Sequence, residues 1–213
     1  MTRGILGLKG QGMGRIPSRP SRYQVSFNAP TTAGNQTWLC PKTGLYTVYA
    51  WGPGGKGEGS GGNFSGSTGA LAIWQRVRFQ VGDVVTIGIP ERDSTSGDTT
   101  VTTARKSAVL TGGRGGDGTG VVGAVGVALN GDININGSAG KNSGTGNNGG
   151  GTDGGLGSST SAPGAPGYDG FRGGDGATIG YPAGTPAAGG MSTTGGDPQQ
   201  LGGCGLVIIC RDA

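Results

Sequence analysis

Glycine occupies 53 of the 213 positions of this chain, and in several stretches it recurs at every third residue. The longest such register holds five glycines, at positions 164, 167, 170, 173 and 176. A period of three matches neither the α-helix, with about 3.6 residues per turn, nor the β-strand. It is the period of polyproline II, a left-handed helix without internal hydrogen bonds. Glycine along one edge of such a helix admits a neighbouring chain, so the register predicts ordered, bundled segments.

Two alternatives to bundled polyproline II helices, collagen and a flexible linker, are also rich in glycine. Collagen needs a long uninterrupted register and a proline content of at least roughly 15–20%. This chain has only 11 prolines, and its longest register stops after five glycines, so collagen is disfavoured. A flexible linker is the other alternative, but charged residues make up only 13% of the chain, whereas disordered chains usually carry high charge.

The chain outside the glycine-rich stretches has the alternating or apolar runs typical of β-strands. Val81, Gly82 and Asp83 predict a turn, and the polar residues 91–104 predict an exposed loop. No window has the apolar stripe of a helix, and each glycine would cost a helix about 1 kcal/mol relative to alanine. We predict strands at residues 23–27, 45–51, 70–79, 84–89, 106–111, 132–136 and 206–210.

The pattern also predicts which side chains share a face. From Ile73 onward, strict alternation places Ile73, Val77 and Phe79 on one face and Trp74 on the other. The terminal strand 206–210 is expected to pair with strands of the first half and so close the base of the glycine-rich region. We expect the apolar face to come from Val25, Phe27, Leu45, Trp51, Phe79, Val85 and Ile87.

These patterns predict an all-β chain in which a β-sandwich carries an inserted bundle of glycine-rich polyproline II helices. Residues 1–22 are predicted to be an extended basic arm. Residues 23–111 and 202–213 would form the sandwich, and residues 112–201 the glycine-rich insertion.

The positive charge is concentrated in the arm. Residues 1–22 have a net charge of +5 and the remaining residues a net charge of −1, so a nucleic-acid-binding body is disfavoured. The arm is either a solvated tail or a segment that docks into a partner, and we predict docking. The candidate docking residues are Arg3, Lys9, Arg15, Arg19 and Arg22.

The sequence offers no constellation for catalysis. It has no histidine, the commonest general base and transition-metal ligand. Glu91 and Asp93 lie in a polar stretch and are best explained as solvated loop charges. The run from Gly112 to Gly118 lacks the Gly-Lys-Ser/Thr ending of a phosphate-binding loop and the helix that would follow it. We predict no enzymatic activity, no cofactor and no metal.

The three cysteines lack metal-ligand spacing. Cys204 and Cys210 would lie about 20 Å apart in an extended strand, which excludes a bond between them. Cys40 can pair with either one if their strands are neighbours, and three reduced thiols are equally compatible with the sequence. No run of 18 apolar residues occurs, so we predict no membrane insertion.

Several stretches resemble the glycine-rich modules of phage tail-fibre proteins. Residues 44–57 form an apolar strand ending in Trp-Gly-Pro-Gly-Gly-Lys-Gly, and residues 79–89 contain a Val-Gly-Asp turn followed by a strand. Residues 108–116 run from an apolar strand into Gly-Gly-Arg-Gly-Gly, and residues 202–209 resemble the closing strand of such modules. This order of strands, turn and glycine runs is also similar to that of the extracellular glycine-rich domain of anaplastic lymphoma kinase-type receptors.

The resemblance implies a jelly-roll-like sandwich with bundled polyproline II helices and a place in a bacteriophage virion. The expected function is a tail-associated fibre or tip protein, an adhesin for a host surface protein or glycan, docked to other virion proteins through residues 1–22. The alternative is a capsid decoration or fibre-base protein with a structural role. A homo-oligomer is expected, with a trimer favoured by analogy with tail fibres.

Aromatic side chains are the candidate receptor contacts, because glycine supplies no side chain and isolated aromatics dominate a glycine-rich surface. They can equally fasten neighbouring glycine helices together. The polar residues 91–104 and 141–149 are the candidate recognition loops. The candidate contacts are Phe64, Tyr168, Phe171 and Tyr181.

Overall fold

The computed structural model describes residues 23–28, 34–57, 64–91, 97–118, 121, 123–140, 168 and 202–212. Within these residues the chain forms ten strands and no helix, so no membrane-spanning helix is found there. The strands are β1 Gln24–Asn28, β2 Asn35–Leu39, β3 Gly44–Trp51, β4 Leu71–Phe79, β5 Val84–Gly88, β6 Thr99–Thr103, β7 Lys106–Gly112, β8 Ala128–Leu129, β9 Ile133–Ile135 and β10 Leu206–Arg211.

The strands form two five-stranded sheets in which every pairing is antiparallel. Sheet A has the order β1-β10-β3-β4-β9, and sheet B has the order β2-β5-β6-β7-β8. The prediction that the terminal strand pairs with the first half is confirmed, since β10 lies between β1 and β3. Two short strands, β8 and β9, come from the range assigned to the glycine-rich insertion and lie at one edge of each sheet.

One hydrophobic core receives side chains from both sheets. Trp38, Val85 and Ile87 come from sheet B, and β3 and β4 of sheet A pack opposite them. Tyr46 lies in this core and makes edge-to-face contacts with Trp38 and Phe79, with ring centroids 5.2 and 5.8 Å apart. Such aromatic pairs stabilise beyond their buried area. The two sheets are therefore held together by a common apolar interior.

Sheet A is also apolar on its opposite, outer face. Tyr49, Trp51, Leu71, Ile73, Ile208 and Cys210 form a second buried cluster there. Residues of β3 alternate between the two clusters, which explains why residues 45–51 read as a nearly continuous apolar run. The expected single apolar face is wrong for Trp51, which belongs to the outer cluster, and for Leu45, which is half-buried outside both clusters. Five other residues contribute to the common core as expected: Val25, Phe27, Phe79, Val85 and Ile87.

The predicted alternation along β4 is wrong beyond Trp74 because the strand contains a β-bulge. Gln75 and Arg76 lie opposite a single residue of β3, and Arg76 has a φ of 52°. The extra residue reverses the phase of the strand. Trp74 therefore shares the common core with Val77, while Ile73 faces the outer cluster.

The predicted exposed loop at residues 91–104 is wrong for its second half. Thr99–Thr103 form β6, a central strand of sheet B between β5 and β7. Thr99 and Val101 are fully buried, while Thr100 and Thr102 are directed outward. Threonine is polar but β-branched, and β-branched residues fit a half-buried pleated strand.

The predicted turn at residues 81–83 is confirmed. Gly82 has a φ of +83°, and the Asp83 amide donates to the Gln80 carbonyl at 3.0 Å. Asp83 also receives two hydrogen bonds from the guanidinium of Arg105, at 2.6 and 2.7 Å. This guanidinium, followed by the backbone amide of Gln80, holds the pKa of Asp83 below its ordinary value of 3.8.

Tyr46 provides a test of the common core. Burial, followed by the hydrogen bond with Cys40, raises the pKa of Tyr46 from 10.0 to about 12. Its hydroxyl donates to the Lys42 carbonyl at 2.6 Å. The neutral phenol thus favours the folded state, and this contribution is complete below pH 10 and lost as the pH rises through about 12.

We expect Tyr46→Phe to be less stable than the parent protein near neutral pH by about 1 kcal/mol, the usual net worth of a hydrogen bond. The difference should shrink between pH 10 and 12, because there Tyr46 ionises in the unfolded parent chain while it stays neutral in the folded protein, and the variant has no such group. Urea unfolding followed by tryptophan fluorescence across this range measures it. A difference that stays constant to pH 12 would contradict the raised pKa of Tyr46.

Candidate functional site

Six glycine-rich segments meet at one end of the β-structure, which we call the glycine end. They are residues 52–57, 65–70, 113–118, 123–127, 136–140 and 202–205. Each follows the last residue or precedes the first residue of a strand, and those strand ends are neighbours in the sheets. Trp51 pairs with both Leu71 and Leu206, and Gly112 pairs with Ala128.

Backbone hydrogen bonds join these segments at three-residue intervals. The amides of Gly52 and Gly55 donate to the carbonyls of Ala70 and Ser67, each at 2.9 Å. The amides of Gly115 and Gly118 donate to Pro53 and Lys56, again at 2.9 Å.

The third pair of segments follows the same rule. The Ser67 amide donates to the Gly116 carbonyl at 3.0 Å, and the Ala70 amide donates to Gly113 at 2.9 Å. Three segments, residues 52–57, 65–70 and 113–118, thus bond to one another around a closed circuit. The period of three seen in the sequence corresponds here to the spacing of bonds between chains.

Glycine is required at these crossings because the backbones touch. A Cβ atom at Gly55 would lie closer than 3.0 Å to the carbonyl of Gly116, and one at Gly52 closer than 3.0 Å to that of Gly113. Gly66, Gly69 and Gly126 meet backbone atoms of other glycine-rich segments at similarly short range. Backbone atoms cannot rotate away as a side chain can, so any larger residue forces the segments apart.

Buried hydroxyl groups complete the packing where glycine is absent. Ser67 and Thr68 are fully buried in segment 65–70. The Ser67 hydroxyl donates to the Gly123 carbonyl and accepts from the Gly140 amide, while the Thr68 hydroxyl accepts from the Ser138 amide at 2.6 Å. These bonds tie segments 123–127 and 136–140 to the centre of the glycine end.

The run from Gly112 to Gly118 uses its amides within the protein. Arg114 donates its backbone amide to Asp98 at 2.8 Å, and the Gly116 amide donates to Ala124 at 2.6 Å. The Arg114 side chain forms an ion pair with Asp117, whose carboxylate also accepts from the Lys56 amide at 2.6 Å. These amides are therefore not directed at an external phosphate.

The structure describes two of the four predicted receptor contacts, Phe64 and Tyr168. Phe64 is half-buried beside the glycine end, where its carbonyl lies next to Gly118. Tyr168 is half-buried and packs against the outer cluster of sheet A, which is a structural contact. Phe171, Tyr181, the recognition segment 141–149 and the five basic residues of the arm lie outside the described residues.

A cleft that the sequence did not predict lies on the outer face of sheet B at the glycine end. It has a volume of about 280 Å³ and an open mouth. No local signal identifies it, because its residues come from β2, β5, β6 and the chain on either side of them. The lining residues are Gly34, Asn35, Gly88, Ile89, Pro90, Glu91, Asp98 and Thr100.

The cysteines remain thiols in this structure. Cys40 lies in the common core and donates to the Lys42 carbonyl at 3.2 Å, while Cys210 lies in the outer cluster on the other face of sheet A. The sheet thus separates Cys40 from Cys210. Among the described residues, no group of three or more histidine, cysteine, aspartate or glutamate side chains is placed to hold a metal ion.

No protein-family model matches this sequence, and no curated protein matches it either.

The glycine crossings predict a sharp difference between two glycine-to-alanine substitutions. We expect Gly55→Ala to destabilise the protein by roughly 1–3 kcal/mol, the usual cost of overpacking, because its Cβ would meet the Gly116 carbonyl. Gly34→Ala is the matched control, since a Cβ there meets nothing within 4 Å. Thermal and urea unfolding measure both variants.

The Gly34→Ala variant should be neutral or slightly stabilised, because alanine restricts the unfolded chain. Equal stability of the Gly55→Ala variant and the parent protein would show that the glycine-rich segments do not pack as described.

Proposed function

We propose that the β-structure is a jelly-roll-like sandwich and that the glycine end is a bundle of polyproline II helices. The common core between two antiparallel sheets supports the sandwich. Bonds between segments at every third residue, with glycine at each crossing, support polyproline II, because that helix has three residues per turn and bonds only to neighbours.

We propose further that the protein is a tail-associated structural protein of a bacteriophage virion, with the glycine end as its exposed tip. The observation that carries this proposal is that the chain enters the β-structure at one end and forms the glycine end at the other. Gln24 pairs with Cys210 and Asn28 with Leu206, so β1 starts at the end of sheet A opposite the glycine end. Residues 1–22 therefore join the body at the end farthest from the tip.

This placement of the arm and the glycine end at opposite ends suits a protein that is anchored at one end and exposes the other to the host surface. The basic arm would dock onto other virion proteins, and the glycine end, cross-bonded through its backbone, would meet the host surface. Adhesion to a host protein or glycan is the corresponding activity. No catalytic step is proposed.

A capsid decoration or fibre-base protein with a purely structural role is the second candidate. It is favoured by a row of exposed aliphatic side chains along the β8 edge of sheet B, which suits lateral contacts between copies. Val121, Val127 and Leu129 are 64, 48 and 50% exposed, and Val109 and Val125 lie in the same region. A homo-oligomer, with a trimer favoured for a fibre, would bury this edge.

The role of the arm is tested by deleting residues 1–22 from the protein expressed during infection. We expect the truncated protein to be absent from purified virions, because the body alone has a net charge of −1 and loses its docking segment. Quantitative mass spectrometry of purified particles measures incorporation. Circular dichroism of the purified truncated protein should match the parent β-sheet signal, which controls for folding, and normal incorporation would contradict the docking role.

Replacing residues 92–96 with those of a related phage distinguishes the two candidate functions. The replacement spares β6, which the structure places at residues 99–103. For an adhesin we expect normal incorporation and an altered host range in adsorption assays on a panel of strains. An unchanged host range, together with loss of particle stability when the whole protein is deleted, would favour the decoration role.

A further inference from the structure

The floor of the cleft is a row of three residues in register across sheet B. Asn35 of β2 pairs with Gly88 of β5, and Gly88 pairs with Thr100 of β6. All three lie on the outer face, because the neighbouring Ile87, Val101 and Thr99 are buried. The row therefore presents an amide and a hydroxyl on either side of a position without a side chain.

Gly88 keeps this floor open. A Cβ there would lie 2.7 Å from the Thr100 hydroxyl oxygen and 3.1 Å from the Asn35 side-chain oxygen. Unlike Gly82 and Gly97, Gly88 has no positive φ that would demand glycine. Its small size thus matters for the space above the sheet, where a ligand can approach the backbone and reach both polar side chains.

The walls add acceptors and an apolar surface. Glu91 and Asp98 supply carboxylates, and Pro90 supplies apolar contact, whereas the Ile89 side chain is buried in the common core. The ion pairs found among the described residues involve neither Glu91 nor Asp98, although one oxygen of Asp98 accepts the backbone amide of Arg114. Two carboxylates in one cleft disfavour an anionic ligand, while their oxygens readily accept hydrogen bonds from hydroxyl groups.

The sheet surface beyond the cleft is uncharged and rich in hydroxyl groups. Thr37, Thr86 and Thr102 pair across β2, β5 and β6 in the row next to the cleft floor. Their spacing follows the sheet, about 4.8 Å between strands and about 7 Å along a strand. A ligand longer than the cleft would therefore continue over this neutral threonine row, beyond which Leu39 and Val84 are exposed.

We propose that this cleft binds one neutral, hydroxyl-bearing sugar ring of a host surface glycan. The proposal rests on the adhesin function and names the ligand class for it. The volume of about 280 Å³ lies just below the roughly 300–1,000 Å³ of ligand pockets and suits a single ring. Asn35 and Thr100 provide donors and acceptors, Glu91 and Asp98 accept from ring hydroxyls, and Pro90 contacts the apolar face of the ring.

The test is a titration of the full-length, ¹⁵N-labelled protein followed by amide chemical shifts. The probes are the methyl glycosides of glucose, galactose, mannose, rhamnose and N-acetylglucosamine, each added to about 100 mM because single sugars bind weakly. Glucuronic acid and glucosamine test the effect of charge. We expect at least one neutral sugar to shift the amides of Gly88, Asp98 and Thr100, and glucuronic acid to leave them unchanged.

Two variants test the named groups, and one is a matched control. Thr100→Val and Glu91→Gln keep side-chain shape and should each weaken binding about fivefold to tenfold, the effect of one lost hydrogen bond. Thr102→Val makes the same change two residues along the same strand, outside the cleft, and should alter the affinity less than twofold. Equal effects of Thr100→Val and Thr102→Val would overturn the assignment.

Other results would also overturn it. These are the absence of cleft shifts with every neutral sugar, binding of glucosamine alone, or equal binding of glucuronic acid. Adsorption of the purified protein to host cells separates the two proposals. If the parent protein adsorbs and the Thr100→Val and Glu91→Gln variants adsorb equally well, the adhesin function survives and the cleft assignment fails. If the parent protein does not adsorb to any host strain, the adhesin function itself fails.

Discussion

Close approach of one backbone to another, permitted only by glycine, is the constraint on which the glycine end depends. Ordering glycine is entropically more expensive than ordering any other residue. The amides and carbonyls of segments 52–57, 65–70 and 113–118 offset part of this cost by bonding to one another. The sheets contribute as well, because paired strand ends hold each segment beside its neighbours. Trp51, Leu71 and Leu206, for example, lie side by side where three segments begin or end.

The sequence predicted this arrangement in part. The strands, the turn at Gly82 and the return of the terminal strand follow from local chemistry and are found in the structure. A three-residue spacing is found in the bonds among segments 52–57, 65–70 and 113–118, while the five-glycine register at residues 164–176 lies outside the described residues. The bonding partners do not follow. Nothing in the sequence around Gly55 indicates that it meets Gly116, since glycines in different segments are chemically alike. A period reveals the kind of structure, whereas the choice of neighbour is set by the order of strands in the sheets.

The errors in prediction have a common physical origin. The bulge at Gln75 and Arg76 reverses the phase of β4. Because both residues are polar, the sequence does not show at this point which side chains face the core. In the second half of the predicted loop, Thr99 reads as polar but is fully buried in sheet B. The cleft was missed for a related reason, because Asn35, Gly88 and Thr100 become neighbours only through the registers of β2, β5 and β6. The polarity of each side chain can be read along the sequence, whereas a site depends on which distant strands pair and in what register.

The two sheets differ in a way that bears on where recognition takes place. Sheet A is buried on both faces, and Tyr168, from the glycine-rich half of the chain, packs on its outer cluster. The outer face of sheet B is instead lined by threonine across three strands and ends in the cleft at the glycine end. The apolar outer face of sheet A is thus used for cohesion, while sheet B presents threonines together with the exposed side chains of Leu39 and Val84. Because the backbone groups of the glycine end are largely bonded to one another, specificity there must come from side chains at its margin. The cleft residues are side chains of that kind, held in place by β2, β5 and β6.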